Sequence, residues 1–369
     1  MKKALLVSLY NNFNYGNRLQ NYAVYRLLSE RNIEVLNLKN NRHLNYIDRG
    51  IVKSYIKFYL SNVKYFILNR NKYGWKYYNK RLKNFKKFSD NINTSKKYFT
   101  YHDLKNYNNF DYYVVGSDQV WNPFMSLDDL TLFRGFNSSN KIAISASFGV
   151  SEFDNYNDTR LCNSLKDFKA ISVREQAGKV ICDKLLKNSS SQVLIDPTMM
   201  IDVDEWRKIS KKPEWYNTNK YILVAFLGKI DEKILSQIKS FAETMDYEII
   251  DIYDGKKNYS SCGPSEFLYL EDNAQIVFTD SFHSTVFSIL FNTPFITFER
   301  NGTHENMNSR IQTLLSKFNL TTRIYNGTLS KKILRCDFSN VALTLTNERV
   351  KFKTFLDNSL TIKDSDKNE

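Results

Sequence analysis

The run Phe278-Thr279-Asp280-Ser281-Phe282-His283-Ser284-Thr285 concentrates hydroxyls, a carboxylate and an imidazole where an apolar strand gives way to a helix. The first turn of a helix leaves backbone N–H groups unpaired, and the helix dipole adds partial positive charge there, which suits a phosphate or carboxylate. Ser281 and Ser284 suit capping that helix or holding such an anion, and His283 suits giving a proton or contacting the anion. The same spacing also fits a plain hydroxyl cap, from Ser284 or Thr285, above a core histidine.

Three more clusters have comparable chemistry. Asn14-Tyr15-Gly16-Asn17-Arg18 opens the first helix, and Gly16 lets backbone approach a ligand closely. This loop has neither the three-glycine dinucleotide pattern nor the phosphate-loop lysine. Val115-Gly116-Ser117-Asp118-Gln119 ends a strand in glycine and polar side chains, which turn chemistry alone also produces. Ser172-Val173-Arg174-Glu175 sets an arginine at a strand end. There it suits a fork onto a carboxylate or phosphate, or a surface pair with Glu175. Arg300 and Arg310 follow the histidine helix and suit the same anion, whereas Asp196-Pro197-Thr198 is expected only to shape the chain after a strand.

The elements that must carry these clusters alternate in type. Leu5–Tyr10 reads as a strand, Arg18–Arg31 as a helix with Leu19, Tyr22, Ala23 and Leu27 at helical spacing, and Glu34–Leu38 as a second strand. Tyr112–Val115, Ile142–Ala146 and Ala170–Val173 continue the series. Tyr221–Phe226, Glu232–Met245 and Tyr247–Ile252 repeat it, followed by Gln275–Phe278, a helix starting near Thr285, and Phe295–Phe298. The pattern predicts α/β architecture with two doubly wound Rossmann-like domains, 1–190 and 191–345, divided near Ser189-Ser190-Ser191. Residues 346–369 are expected to form a C-terminal helix and a disordered polar tail from Lys363. Ligands of such sheets bind beyond the carboxyl ends of the strands, here in the cleft between the halves.

Residues 41–100 break the pattern. Fifteen basic residues there face only Asp48 and Asp90, so this stretch holds +13 of a net +14, with aromatics interleaved at helical spacing. It is expected to be a helical insertion with a basic solvated face and an aromatic core face. A helix docking on anionic lipid is the alternative. Nucleic-acid binding lacks any accompanying motif. Four scattered cysteines and four histidines give neither a disulfide framework nor a metal site and fit a reducing compartment. Lys2-Lys3 and the short run after them lack a signal-peptide cleavage site, and no apolar stretch is long enough to span a bilayer. The expected location is cytoplasmic, with the inner face of the membrane as a docking place.

Taken in order, NYGNRLQNYA (14–23), VVGSDQVWNP (114–123), ISASFG (144–149), ISVREQAG (171–178), LIDPTMM (194–200), the segment 263–295 and SRIQTLL (309–315) resemble the polysaccharide pyruvyl transferase family. The resemblance implies a fold similar to the GT-B glycosyltransferases. It implies phosphoenolpyruvate as co-substrate, no further cofactor, and a saccharide acceptor, free or lipid-linked, that receives pyruvate as a cyclic ketal. By the same resemblance His283 is the acid/base group and Arg174 holds donor carboxylate or phosphate, with Ser281, Ser284 and Arg310 supporting that anion. Asn14, Gly16, Asn17, Ser117, Asp118 and Gln119 are expected to hold acceptor. Two positions depart from the pattern: Asn17 stands where many relatives have aspartate, and Ser284 where glycine is common after the histidine. The competing functions are a nucleotide-sugar glycosyltransferase and a non-catalytic assembly protein. The seven-residue glutamate pair of retaining glycosyltransferases is absent, since Glu299 and Glu305 stand too close together.

Overall fold

The computed structural model describes residues 1–10, 13–46, 50–125, 127–153, 158–187, 190–218, 220–300 and 309–361. The expected polar tail from Lys363, Ser189 at the expected boundary, and Glu305 lie outside the described residues.

The first half alternates as β1 (Lys2–Val7), α1 (Tyr15–Ser29), β2 (Ile33–Lys39), α2 (Ile51–Ser89) and β3 (Thr94–Tyr98). Next come β4 (Tyr112–Asp118), β5 (Lys141–Ala146), α3 (Thr159–Lys166), β6 (Phe168–Val173), α4 (Gln176–Leu186) and β7 (Gln192–Val193). Its seven strands are parallel in the order β3-β2-β1-β4-β5-β6-β7. The second half runs α5 (Val203–Ile209), β8 (Tyr221–Ala225), α6 (Glu232–Met245), β9 (Glu248–Asp251) and α7 (Pro264–Asn273). It continues with β10 (Ile276–Thr279), α8 (Phe282–Phe291), β11 (Phe295–Thr297), α9 (Ser309–Lys317) and α10 (Val341–Ser359). Its four strands are also parallel, in the order β11-β10-β8-β9. Both sheets are doubly wound, reversing direction between β1 and β4 and between β8 and β10.

Side-chain alternation decides which core each strand feeds. Ala4 and Leu6 point into one core while Leu5 and Val7 point into another. In the second sheet Leu223 and Val277 join the same core as Ala4 and Leu6, whereas Ile222, Phe278 and Phe298 close the far face. The two halves therefore share one continuous apolar core. The last helix, α10, returns to the first half: Arg349 donates to the carbonyls of Met199 (2.8 Å) and Ile201 (2.9 Å), and Arg31 pairs with Asp357.

Several boundaries differ from the sequence reading. β1 spans Lys2–Val7, earlier than Leu5–Tyr10, because Ser8–Tyr10 already turn toward the cleft. β7 pairs with β6, so residues 192–193 belong to the first sheet although 191 was expected to open the second domain. The last helix opens at Val341, not 346. The basic segment is not wholly an insertion, since Thr94–Tyr98 forms the edge strand β3 beside β2. Within α2 the helix breaks at Gly74, whose φ of 65° is the left-handed region that glycine enters without strain. After the break Tyr78, Arg81, Phe85 and Phe88 are buried, matching the expected core face; before it most large apolar residues face outward, which does not match. No helix among the described residues is long and apolar enough to cross a membrane.

Candidate active site

A cavity of about 340 Å³ opens between the halves, where the carboxyl ends of β1 and β4 face those of β8 and β10. Both sheets thus present their reversal points to one space, the usual ligand position in open α/β sheets. One wall carries Asn14, Asn17, Asn40, Arg42, Asp118, Gln119 and Asp128; the other carries Ser281, Phe282, His283, Arg300 and Arg310.

The second wall is built by β10 running into α8. Asp280 accepts from the backbone N–H groups of Leu227 (2.6 Å) and Gly228 (2.8 Å) and from Arg300 Nε (3.0 Å), fixing the end of β8 and one cation together. Ser281 holds the N-cap position of α8 without closing its hydroxyl on the backbone. His283 follows in the first turn, with Nε2 3.5 Å from Asp196 Oδ2. A Cβ on residue 16 would fall 2.0 Å from His283 Nδ1, so Gly16 is the space in which the imidazole sits.

Behind the first wall lies a buried ionic cluster. Arg174 donates to Asp118 Oδ1 (2.7 Å) and Asp196 Oδ2 (2.9 Å). Asn17 donates to the other oxygen of Asp118, and Asn14 caps α1 by accepting from the Asn17 N–H at 3.1 Å. Thr198 donates to Asp196 Oδ1 through both its N–H (3.0 Å) and its hydroxyl (2.7 Å). Ser117 donates its hydroxyl to the Ser145 carbonyl (2.8 Å) and its N–H to Gln20 Oε1 (2.9 Å). Both guanidiniums of this region pack on the Phe282 ring, Arg174 at 4.4 Å and Arg310 at 5.8 Å from its centroid. With its amide oxygen turned inward, Gln119 accepts from both Nη atoms of Arg310 at 2.9 and 3.1 Å.

Burial opposes the charge of each carboxylate, yet for Asp118 the guanidinium of Arg174, with His283 and Arg310, outweighs it and holds the acid below its ordinary value. Asp196 is held well below its ordinary value in the same way, by His283 and Arg174 against burial. Burial, and then repulsion from Arg174, pulls Arg310 down to about 10. Asp128 is lifted to about 7 by burial. Among the described residues no cluster of His, Cys, Asp and Glu gathers as a metal site.

Of the residues singled out in the sequence, Asn14, Asn17, Asp118, Gln119, Ser281, His283 and Arg310 meet on the cavity wall. Four stand behind it. Gly16 makes room for His283, and Ser117 is committed to backbone. Ser284 donates to Glu271, a carboxyl that burial lifts to about 8, instead of reaching the cavity. Arg174 is wholly enclosed by carboxylates, so it neither touches the cavity nor forms a surface pair: Glu175 beside it is equally buried. Asp196, read as a turn residue, is the centre of the cluster. Its sequence signal is an acid directly after an apolar run, LID, at a strand end as Asp118 and Asp280 are. Arg42, Asn40 and Asp128 gave none, because loops far apart in sequence bring them to the wall.

Fold and site together define a doubly wound α/β protein with a cleft lined by charges of both signs and one imidazole beside a buried carboxylate. The chain belongs to the polysaccharide pyruvyl transferase family, whose model matches residues 14–302. No curated protein matches it in sequence. Among solved structures it is similar to the UDP-GlcNAc 2-epimerase of Methanocaldococcus jannaschii (14% identity, 96% of this chain and 100% of that one, TM-score 0.49). It is also similar to the ADP-heptose lps heptosyltransferase II of E. coli (7% identity, 96% and 100%, TM-score 0.37).

Proposed function

We propose that this protein transfers the pyruvyl group of phosphoenolpyruvate onto two hydroxyls of a saccharide, forming a cyclic ketal and releasing phosphate. One observation beyond family membership carries the proposal. His283, backed by the ionised Asp196, stands on the same wall as Arg300, Arg310 and the open first turn of α8. That wall offers cationic and backbone donors to a doubly anionic donor molecule, and a proton source beside them.

In this reaction His283 gives a proton to the methylene carbon, and the alkene electron pair forms the new C–H bond. The adjacent carbon becomes oxocarbenium-like. An acceptor hydroxyl adds to it and loses its proton. Phosphate then leaves with the electrons of its C–O bond, and a second hydroxyl closes the ketal as it deprotonates. Asp128, close to half-ionised near neutral pH, is the wall group suited to take a hydroxyl proton. Asn14, Asn17 and Gln119 offer amides to the sugar, while Arg174 acts through Asp118 and Asp196 by fixing their positions.

The test is phosphate release from phosphoenolpyruvate with free and lipid-linked galactosides, mannosides and amino sugars. Acceptor-dependent release is expected, falling about 10²- to 10⁴-fold in His283→Ala. Binding of a nucleotide sugar without any binding of phosphoenolpyruvate would replace this function with glycosyl transfer. Full complementation of polysaccharide synthesis by His283→Ala would point instead to a non-catalytic assembly role.

A further inference from the structure

We propose that the first half of α2, residues 51–73, is an interfacial helix that seats this protein on an anionic lipid bilayer. Its apolar residues are arranged against the usual rule for a soluble helix. The face turned to the protein offers Ser54, Phe58, Ser61 and Tyr65, whereas Val52, Ile56, Leu60, Val63 and Ile67 line the opposite, solvent side. These five recur at four- and three-residue intervals, so they form one stripe along the helix. Their exposure runs from 49% to 69%, far from the burial that a core face would give. Lys53, Lys57 and Lys64 run beside the stripe on its solvent flank and are exposed too.

The charge selects the occupant. Residues 51–89 hold eleven Lys and Arg and not one Asp or Glu. A second copy of this chain would bring two such faces together with no carboxylate between them, a like-charge contact that opposes association. An anionic bilayer meets both demands at once: acyl chains take the apolar stripe and headgroups meet the lysines. The aromatic residues fit the same depth, since Tyr59 and Trp75 are exposed and Arg70 lies 5.0 Å above the Trp75 ring. No described helix is able to cross the bilayer, so the helix lies on it.

The placement also links surface to cleft. Phe58 packs on Tyr98 (5.1 Å), which packs on Tyr10 (6.0 Å) of the cavity wall, and Tyr65 packs on Phe13 (5.6 Å), the residue before Asn14. These ring contacts connect the docking helix to the cavity wall. The docking itself stands apart from the pyruvyl chemistry, because vesicle binding is read without turnover.

The experiment is co-sedimentation of the full chain with vesicles of phosphatidylcholine alone and of phosphatidylcholine mixed with phosphatidylglycerol. Binding is expected to the mixed vesicles, weakening as salt rises. The triple variant Lys53→Ala/Lys57→Ala/Lys64→Ala is expected to partition about a hundredfold more weakly. The variant Val52→Ser/Ile56→Ser/Leu60→Ser/Val63→Ser is expected to lose binding at high salt entirely. Every substituted position is solvent-exposed, so unchanged thermal unfolding serves as the control for both. Equal binding to the two vesicle types, no binding to either, or a dimer in sedimentation equilibrium that the serine variant dissolves would each overturn the proposal.

Discussion

Arg174 and Arg310 pack on the same phenylalanine ring and are both buried, yet their surroundings are opposite. Arg174 has its two terminal nitrogens on Asp118 and Asp196 with Glu175 close by, and these carboxylates overcome burial and hold its proton more firmly than usual. Among the described residues Arg310 meets the neutral Gln119 amide and no carboxylate at hydrogen-bond distance, and burial with repulsion from Arg174 brings it down to about 10. A buried cation with its counterions in place is part of the framework. One that is short of negative charge gains from an arriving anion. The pair therefore sets a neutralised back against a cationic front, the side proposed above to meet the phosphate or carboxylate of the donor.

Removing each arginine tests that division. Arg174→Met strands two buried carboxylates, so the urea midpoint is expected to report a loss of about 3–5 kcal/mol. Arg310→Met removes a cation that already bears the cost of burial, so stability is expected to change little. Its donor KM instead rises roughly ten- to a hundredfold, as for a lost hydrogen bond to a charged group. Equal stability losses in the two variants would erase the contrast. The smallest effect is in pH. Asp118 and Asp196 titrate below their unfolded value of about 3.9, so their contribution is complete above that pH and lost as pH falls through the folded values. The carboxylates stranded in Arg174→Met, with burial less opposed, take up protons at higher pH than in the wild type, so the stability gap between the two proteins is expected to begin narrowing above pH 4. A gap that stays constant down to pH 4 would assign the stabilisation to another group.

The two halves of α2 explain why part of the molecule resisted reading from sequence. Basic and aromatic residues alternate along both. After Gly74, Tyr78, Phe85 and Phe88 enter the core and Arg81 is enclosed, donating to the carbonyls of Phe13 (3.0 Å) and Ser260 (3.0 Å), one on each side of the domain junction. Before Gly74 the same composition faces solvent. Periodicity states that a helix has an apolar stripe; it does not state what the stripe meets. Arg81 reads as one more surface cation until the fold brings two distant loops around it. The edge strand Thr94–Tyr98 was hidden likewise, because Lys96 and Lys97 sit in it on the open side of the sheet.

The sequence by itself determined the alternation of strands and helices, down to the bounds of α6 at Glu232–Met245, and the polar cluster where β10 runs into α8. Those features are local: hydropathy period and helix-end chemistry act over a few residues. Only the tertiary structure decided that Arg174 faces inward to Asp118 and Asp196, that Ser284 turns to Glu271, and that Asp196 rather than a neighbour in sequence stands beside His283. The first depends on which strand ends the seven-stranded sheet brings together, the second on how α7 packs against α8, and the third on how the two halves meet. Those choices are made by packing across the shared core, a contact between residues too far apart in the chain for any local pattern to encode.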